Sequence, residues 1–141
     1  MPSPQLDNLV RIGQLKAEPV ARAELDGLMR SGAARLKDAE NKQLSAESRF
    51  DLAYNAAHAF SLAALRFHGY RSENRFLVFQ SLQHTLKLSS QKWRVLDQAH
   101  KKRNLVEYEG SVDIDASLLD ALIRIAREVE AGVIALGPLP R

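Results

Sequence analysis

The sequence predicts an all-α fold, an up-and-down bundle of five to six helices in a single domain. Three observations carry that prediction. Apolar residues recur at spacings of three and four through most of the chain. Nowhere do β-branched residues alternate in the manner of a strand, so no strand is expected. The breaks between periodic stretches are short and marked by glycine, proline or serine, which makes neighbouring helices mostly antiparallel. A chain of 141 residues suits one domain with a modest core.

The elements follow in order. Residues 5–16 read as a short first helix with Leu6, Leu9, Val10 and Ile12 on its apolar side. Glu18-Pro19 breaks it, and Pro19 suits the first turn of a second helix over 19–39, which buries Leu25, Leu28, Met29 and Leu36. Gly27 and Gly32 each cost that helix about 1 kcal/mol against alanine, so it bends there or lies against a close neighbour. The bundle core is expected over 45–136. Ser45 is the N-cap of a third helix, with Glu47 favourable in its first turn. Residues 47–67 are the most apolar stretch, apolar around most of the helical wheel, and predict the central helix. One polar seam remains on it: Asp51, Asn55 and His58 at i, i+4 and i+7. Such a seam is a solvent strip, a subunit interface or one wall of a site.

Gly69 is the left-handed stop of that helix. A fourth helix over 73–87 should bury Phe76, Leu77, Phe79, Leu82 and Leu86. Ser89 or Ser90 caps a fifth, 91–110, which Gly110 ends. The loop Ser111–Asp113 leads to Asp115, an N-cap flanked by Ile114 and Leu119 at the spacing of a hydrophobic staple. The last helix, 116–136, carries Asp120, Arg124 and Glu128 at ion-pair spacing and stops at Gly137-Pro138.

The fifth helix holds the anomaly. Val95, Leu96, Ala99 and Val106 share the arc that should face the core, and Arg103 falls inside it. His100, Asn104 and Glu107 line the edge of that arc, with Tyr108 one turn beyond Asn104. A charge seldom faces a core unless it is paired or used. One reading is a buried Arg103–Glu107 pair that pins two helices. The other gives Arg103 a phosphate to hold through its fork of donors.

Charge adds to the second reading. Residues 87–103 carry Lys87, Lys92, Arg94, Lys101, Lys102 and Arg103 against Asp97, a local +5, whereas 104–141 is locally −4. A basic block beside a polar cluster attracts phosphates, although lysines also simply solvate a helix face. Trp93 between Lys92 and Arg94 either stacks on single-stranded RNA or packs at an interhelix edge.

Other chemistry is excluded. There is no cysteine, hence no disulfide, thiolate metal site or cysteine nucleophile. His58, His68, His84 and His100 include no i, i+4 pair, and no metal or cofactor is expected. Glycine-rich phosphate loops, nucleophile elbows and helix-turn-helix spacing are missing. No apolar run approaches a membrane span and no hydrophobic leader follows Met1, so a cytoplasmic protein is expected.

Two stretches carry a family resemblance. Ser48–Tyr70, SRFDLAYNAAHAFSLAALRFHGY, is similar to the central helix of the HEPN domain (higher eukaryotes and prokaryotes nucleotide-binding). Trp93–Gly110, ending RNLVEYEG, resembles that family's signature helix, and the resemblance covers about residues 45–136. It implies a homodimer with the two signature helices facing each other. In active members an arginine and a histidine from each protomer form a metal-independent endoribonuclease site. Arg103 matches the arginine and Asn104 the adjacent polar residue, while Tyr108 stands where the histidine would be. Tyrosine in peptides titrates near 10 and is a poor base at neutral pH, so cleavage would need His100 or Glu107 instead. The resemblance therefore implies a non-catalytic or weakly active RNA- or nucleotide-phosphate-binding module in a toxin–antitoxin or defence system. Arg103 would hold phosphate, Asn104 would orient it, and Lys92, Arg94, Lys101 and Lys102 would steer it. The alternatives are a true endoribonuclease and a purely structural dimerising protein. A small nucleotidyltransferase is the partner that the resemblance implies.

Overall fold

A computed structural model describes residues 3–110 and 113–139 and shows an all-α bundle. The helices are α1 (Pro4–Arg11), α2 (Arg22–Ala39), α3 (Ala46–Phe67), α4 (Arg75–Gln80), α5 (Leu82–Thr85), α6 (Ser90–Glu109) and α7 (Ala116–Ala135). α3 is the centre. It packs against α2, α7, α4, α5 and α6, and buries Phe50, Phe60 and the alanines 53, 56, 57, 63 and 64. Those small side chains let neighbouring helices approach closely. Gly32 of α2 shows how closely: a Cβ there would lie 2.5 Å from Phe60 Cε1. The glycine is a contact point with a neighbour, and α2 runs through it unbroken.

Local chemistry sets the ends of the elements. The Ser45 side chain accepts from the Ser48 amide, Asn74 from Leu77, Ser89 from Lys92 and Asp115 from Ser117, each satisfying an orphan first-turn donor. Gly69, Gly110 and Gly137 follow α3, α6 and α7 at φ of 90°, 79° and 81°. Ile114 and Leu119 both join the core, as their spacing suggests. Ser111 and Val112, in the expected loop, lie outside the described residues. No described helix is long and apolar enough to cross a membrane.

Six expectations are corrected. A strand pair does form: β1 (Lys16–Ala17) pairs antiparallel with β2 (Tyr70–Arg71). Two residues are too few for any alternation to show in sequence. The first helix ends at Arg11, leaving Ile12 61% exposed, because the chain turns through Gly13 toward β1. α2 starts at Arg22, and the Pro19 carbonyl is used elsewhere, as described below. The fourth helix is divided at Ser81, whose hydroxyl donates to the Leu77 carbonyl, a back-bond that bends helices. Phe76, expected inside, is 36% exposed. On α7, Glu128 meets Lys92 of α6 at 2.7 Å in place of Arg124.

The most deeply buried charge is Arg66, near the end of α3, at 1% exposure. All five of its N–H donors find acceptors. Nε and Nη2 grip the Glu24 carboxylate at 3.0 and 3.1 Å. Nη1 donates to the Glu18 and Tyr70 carbonyls, and Nη2 to Pro19. Arg71 adds ion pairs to Glu18 and Glu24. The hydrogen bond from Arg66 holds the Glu24 carboxyl below its ordinary pKa despite the opposing pull of burial. One guanidinium thus ties α3, α2, the β ribbon and the 18–19 turn together.

Candidate functional site

The polar seam of α3 and the anomalous face of α6 meet. Arg103 does not enter the core: its side chain is 28% exposed and lies at the α3–α6 edge. Nη1 is 2.6 Å from Glu107 Oε1, on its own helix. Nε is 2.9 Å from Asp51 Oδ1 of the seam, close enough for an ion pair but without hydrogen-bond alignment. Asn55, the next seam residue, donates to the Asp51 carbonyl and accepts from Arg75 Nη1 at 3.1 Å. Arg75 comes from the first turn of α4, and its guanidinium stands over the Tyr54 ring, 5.4 Å from the centroid.

An aromatic hub fixes these groups. Phe79 of α4 contacts Tyr54, His58 and His100 with ring centroids 5.7, 6.0 and 6.4 Å away. His100 stacks on Tyr54, and its Nδ1 is 2.9 Å from the Tyr54 hydroxyl. Burial lowers the pKa of both histidines. His58 falls to about 4, with the positive charge of Arg75, and that of His100 once acid protonates it, adding to the desolvation. His100 is also lowered by burial, against the pull of Asp97. Both are therefore neutral imidazoles at pH 7. Burial raises the Tyr54 pKa, so its hydroxyl keeps its proton.

Tyr54, Arg75, His100, Arg103 and Asn104 line one open cleft of about 340 Å³, together with Glu73 and Glu107. A second cleft of about 640 Å³ lies on the other side of Arg103, walled by Leu44, Phe50, Leu52 and Val106 with Glu47, Ser48 and Asp51. The smaller cleft holds the chemistry: two guanidinium groups, a neutral histidine, a phenol and a carboxamide face the same space. Forked cations of this kind match the oxygens of phosphate.

The other expected residues are placed differently. Tyr108 is 90% exposed and does not line the cleft, since five positions put it about 140° around the helix from Arg103. Lys92 is paired with Glu128, and Lys101 with Asp97 at 3.2 Å. Arg94 and Lys102 have no ion pair among the described residues. The expected basic face is therefore half neutralised. Sequence reasoning missed Tyr54 and Arg75. Neither has a periodic signal, because their roles depend on α4 reaching across to α3.

The chain matches no protein-family model, no curated protein and no solved structure. Among the described residues, no group of three or more histidine, aspartate or glutamate side chains gathers as a metal site would require.

Proposed function

We propose that this protein is an RNA- or nucleotide-phosphate-binding module whose ligand sits in the α3–α4–α6 cleft. One observation carries the reading: Arg75 and Arg103, from different helices, line the same open cleft with His100, Tyr54 and Asn104. Arg103 exchanges its surface partner for a phosphate at small cost, because an exposed i, i+4 pair such as Arg103–Glu107 is worth about 0.3–0.5 kcal/mol. A phosphate in its place accepts several charge-assisted hydrogen bonds at once. The likeness of residues 45–136 to the HEPN domain supports the same ligand class, and with it a toxin–antitoxin or defence role and a nucleotidyltransferase partner. Leu105 and Tyr108, exposed at 46% and 90% on the last turns of α6, support a homodimer through that helix.

A second reading, a metal-independent endoribonuclease, is favoured by His100 rather than Tyr108. His100 is a neutral imidazole inside the cleft. If the Tyr54 hydroxyl donates to Nδ1, then Nε2 carries the proton and can only donate to a phosphate. In the other tautomer Nε2 is free to accept a proton from a ribose 2′-hydroxyl.

The test is binding of a labelled single-stranded RNA at low salt. Arg103→Ala and Arg75→Ala should each weaken it about tenfold or more, the loss expected for a charged hydrogen-bond partner. A wild-type protein that binds no RNA, nucleotide or phosphate under these conditions defeats the reading. Cleavage of RNA by the wild type that His100→Ala abolishes would promote the second reading.

A further inference from the structure

The α6 face that lines the cleft does not stop at His100. Trp93, Asp97, His100 and Asn104 stand at i, i+4, i+7 and i+11, within about 60° of one another around the helix, and span about 16 Å along it. α4 follows that stripe. Phe79 packs against His100 at one end, and Phe76 packs edge-on against Trp93 at the other, with centroids 5.8 Å apart. Between the two aromatic contacts the structure leaves polar atoms unpaired. Trp93 Nε1, a donor, and Asp97 Oδ1, an acceptor, are both buried without a hydrogen-bond partner. Only the other Asp97 oxygen is engaged, by Lys101. Buried polar atoms are nearly always satisfied, and leaving one unpaired costs about 1–3 kcal/mol. A donor and an acceptor one turn apart, beside a half-buried indole and a part-exposed phenyl ring, are the complement of a nucleobase. A base brings a π face and a polar edge together.

We propose that the cleft ligand is a single-stranded nucleic acid rather than a free phosphate, and that a base next to the bound phosphate stacks at the Phe76–Trp93 pair. This inference rests on the phosphate-binding reading and extends it to a second subsite. The stripe is longer than one phosphate group can cover, and its ends differ in charge: Arg75 and Arg103 stand with His100 at one, while the Phe76–Trp93 pair at the other has no guanidinium in the cleft. A nucleotide chain presents those two chemistries alternately. A base seated on the Phe76–Trp93 pair reaches the base-edge partners Trp93 Nε1 and Asp97 Oδ1 only when the Trp93 ring swings to admit it, and Arg94, beside Trp93 and exposed, meets the backbone that leaves the site.

Trp93 is the single tryptophan of the chain, so its emission reports on this subsite alone. Titration with a hexaribonucleotide at low salt should quench Trp93 fluorescence in step with the anisotropy of the labelled strand. Inorganic phosphate should compete with little change in emission. Trp93→Leu should weaken hexanucleotide binding about tenfold more than it weakens phosphate binding, the loss of one stacked base. Phe76→Ala, at a part-exposed position, repeats the test without disturbing the core, and circular dichroism confirms folding of both. Saturation of the RNA with Trp93 emission unchanged, or wild-type RNA affinity in both variants, overturns the inference while the phosphate reading stands. So does hexanucleotide binding no tighter than that of inorganic phosphate. A protein that binds neither ligand overturns both.

Discussion

Arg66 and Arg103 lie on different helices, each against a carboxylate, and their surroundings give them opposite jobs. Arg66 is 1% exposed and every N–H it owns has an acceptor, three of them backbone carbonyls. Nothing is left over for a ligand. Arg103 is 28% exposed, is held by two carboxylates that themselves reach solvent, and has an Nε with no aligned acceptor. It keeps its capacity to bind something else. The contrast shows that an arginine near a core is read by its unspent donors, not by its depth.

The comparison breaks most visibly at Arg66. Arg66→Met should destabilise the fold by about 3–5 kcal/mol, because it strips the Glu24 carboxylate of its two hydrogen bonds from Arg66, leaving it only Arg71, and frees three carbonyls. Urea denaturation followed by circular dichroism measures this. Arg66→Lys should recover little of it, since one ammonium cannot reproduce a five-donor fork. A loss under about 1 kcal/mol for Arg66→Met would mean that the knot does not hold the elements together.

The next effect is a pH dependence centred on His58. Its folded pKa of about 4 lies below the unfolded value of 6.5, so the unfolded chain binds the proton more readily. Stability is then fully present above about pH 6.5 and is lost as the pH falls toward 4, by up to about 3 kcal/mol. The midpoint of urea unfolding at pH 7.5 and at pH 5 checks this. His58→Phe should flatten the dependence. A dependence that survives the substitution unchanged would assign it to other groups, His100 and His84 first, whose pKa values burial also lowers.

Arg103 itself should show the reverse balance of effects. Arg103→Ala should cost at most about 1 kcal/mol of stability, because its pairs are part-exposed. Its loss should appear instead in ligand affinity. A destabilisation above about 2 kcal/mol would make Arg103 a second structural arginine and erase the distinction from Arg66.

What could be read from sequence depended on range. The caps Ser45 and Asp115 and the Gly69 stop are local, each decided within three or four residues, and all were legible. So was the central place of α3, whose composition leaves only a narrow polar seam. Arg66 was overlooked, although it is the only ionised residue between Asp51 and Arg71 in the most apolar stretch. Apart from the Tyr70 carbonyl, its partners lie 42–48 positions away, and no local pattern signals them. The β1–β2 pair has the same cause, since residues 16–17 meet 70–71. The candidate site was half legible. Periodicity put His100, Arg103, Asn104 and Glu107 on one surface of α6, and Asp51, Asn55 and His58 on one seam of α3. It could not bring the two surfaces together, nor show that α4 would deliver Arg75 and Phe79 between them.

The smallest expected effect bears most directly on the difference between the two arginines. In the free protein Glu107 occupies Arg103 Nη1, and its side chain is 62% exposed. A phosphate approaching Arg103 must displace that carboxylate and sit near its charge. Glu107→Gln keeps the shape of the side chain and removes both obstacles. It should lower stability by no more than about 0.5 kcal/mol while tightening RNA binding about two- to threefold at low salt. Equilibrium titration beside the wild type would resolve a change of that size. The equivalent change at the knot, Glu24→Gln, cannot improve anything, because Arg66 has no second partner waiting. Weaker RNA binding by Glu107→Gln would reverse the assignment. Glu107 would then be holding Arg103 in place, and the pair would belong with Arg66 and Glu24 as part of the frame.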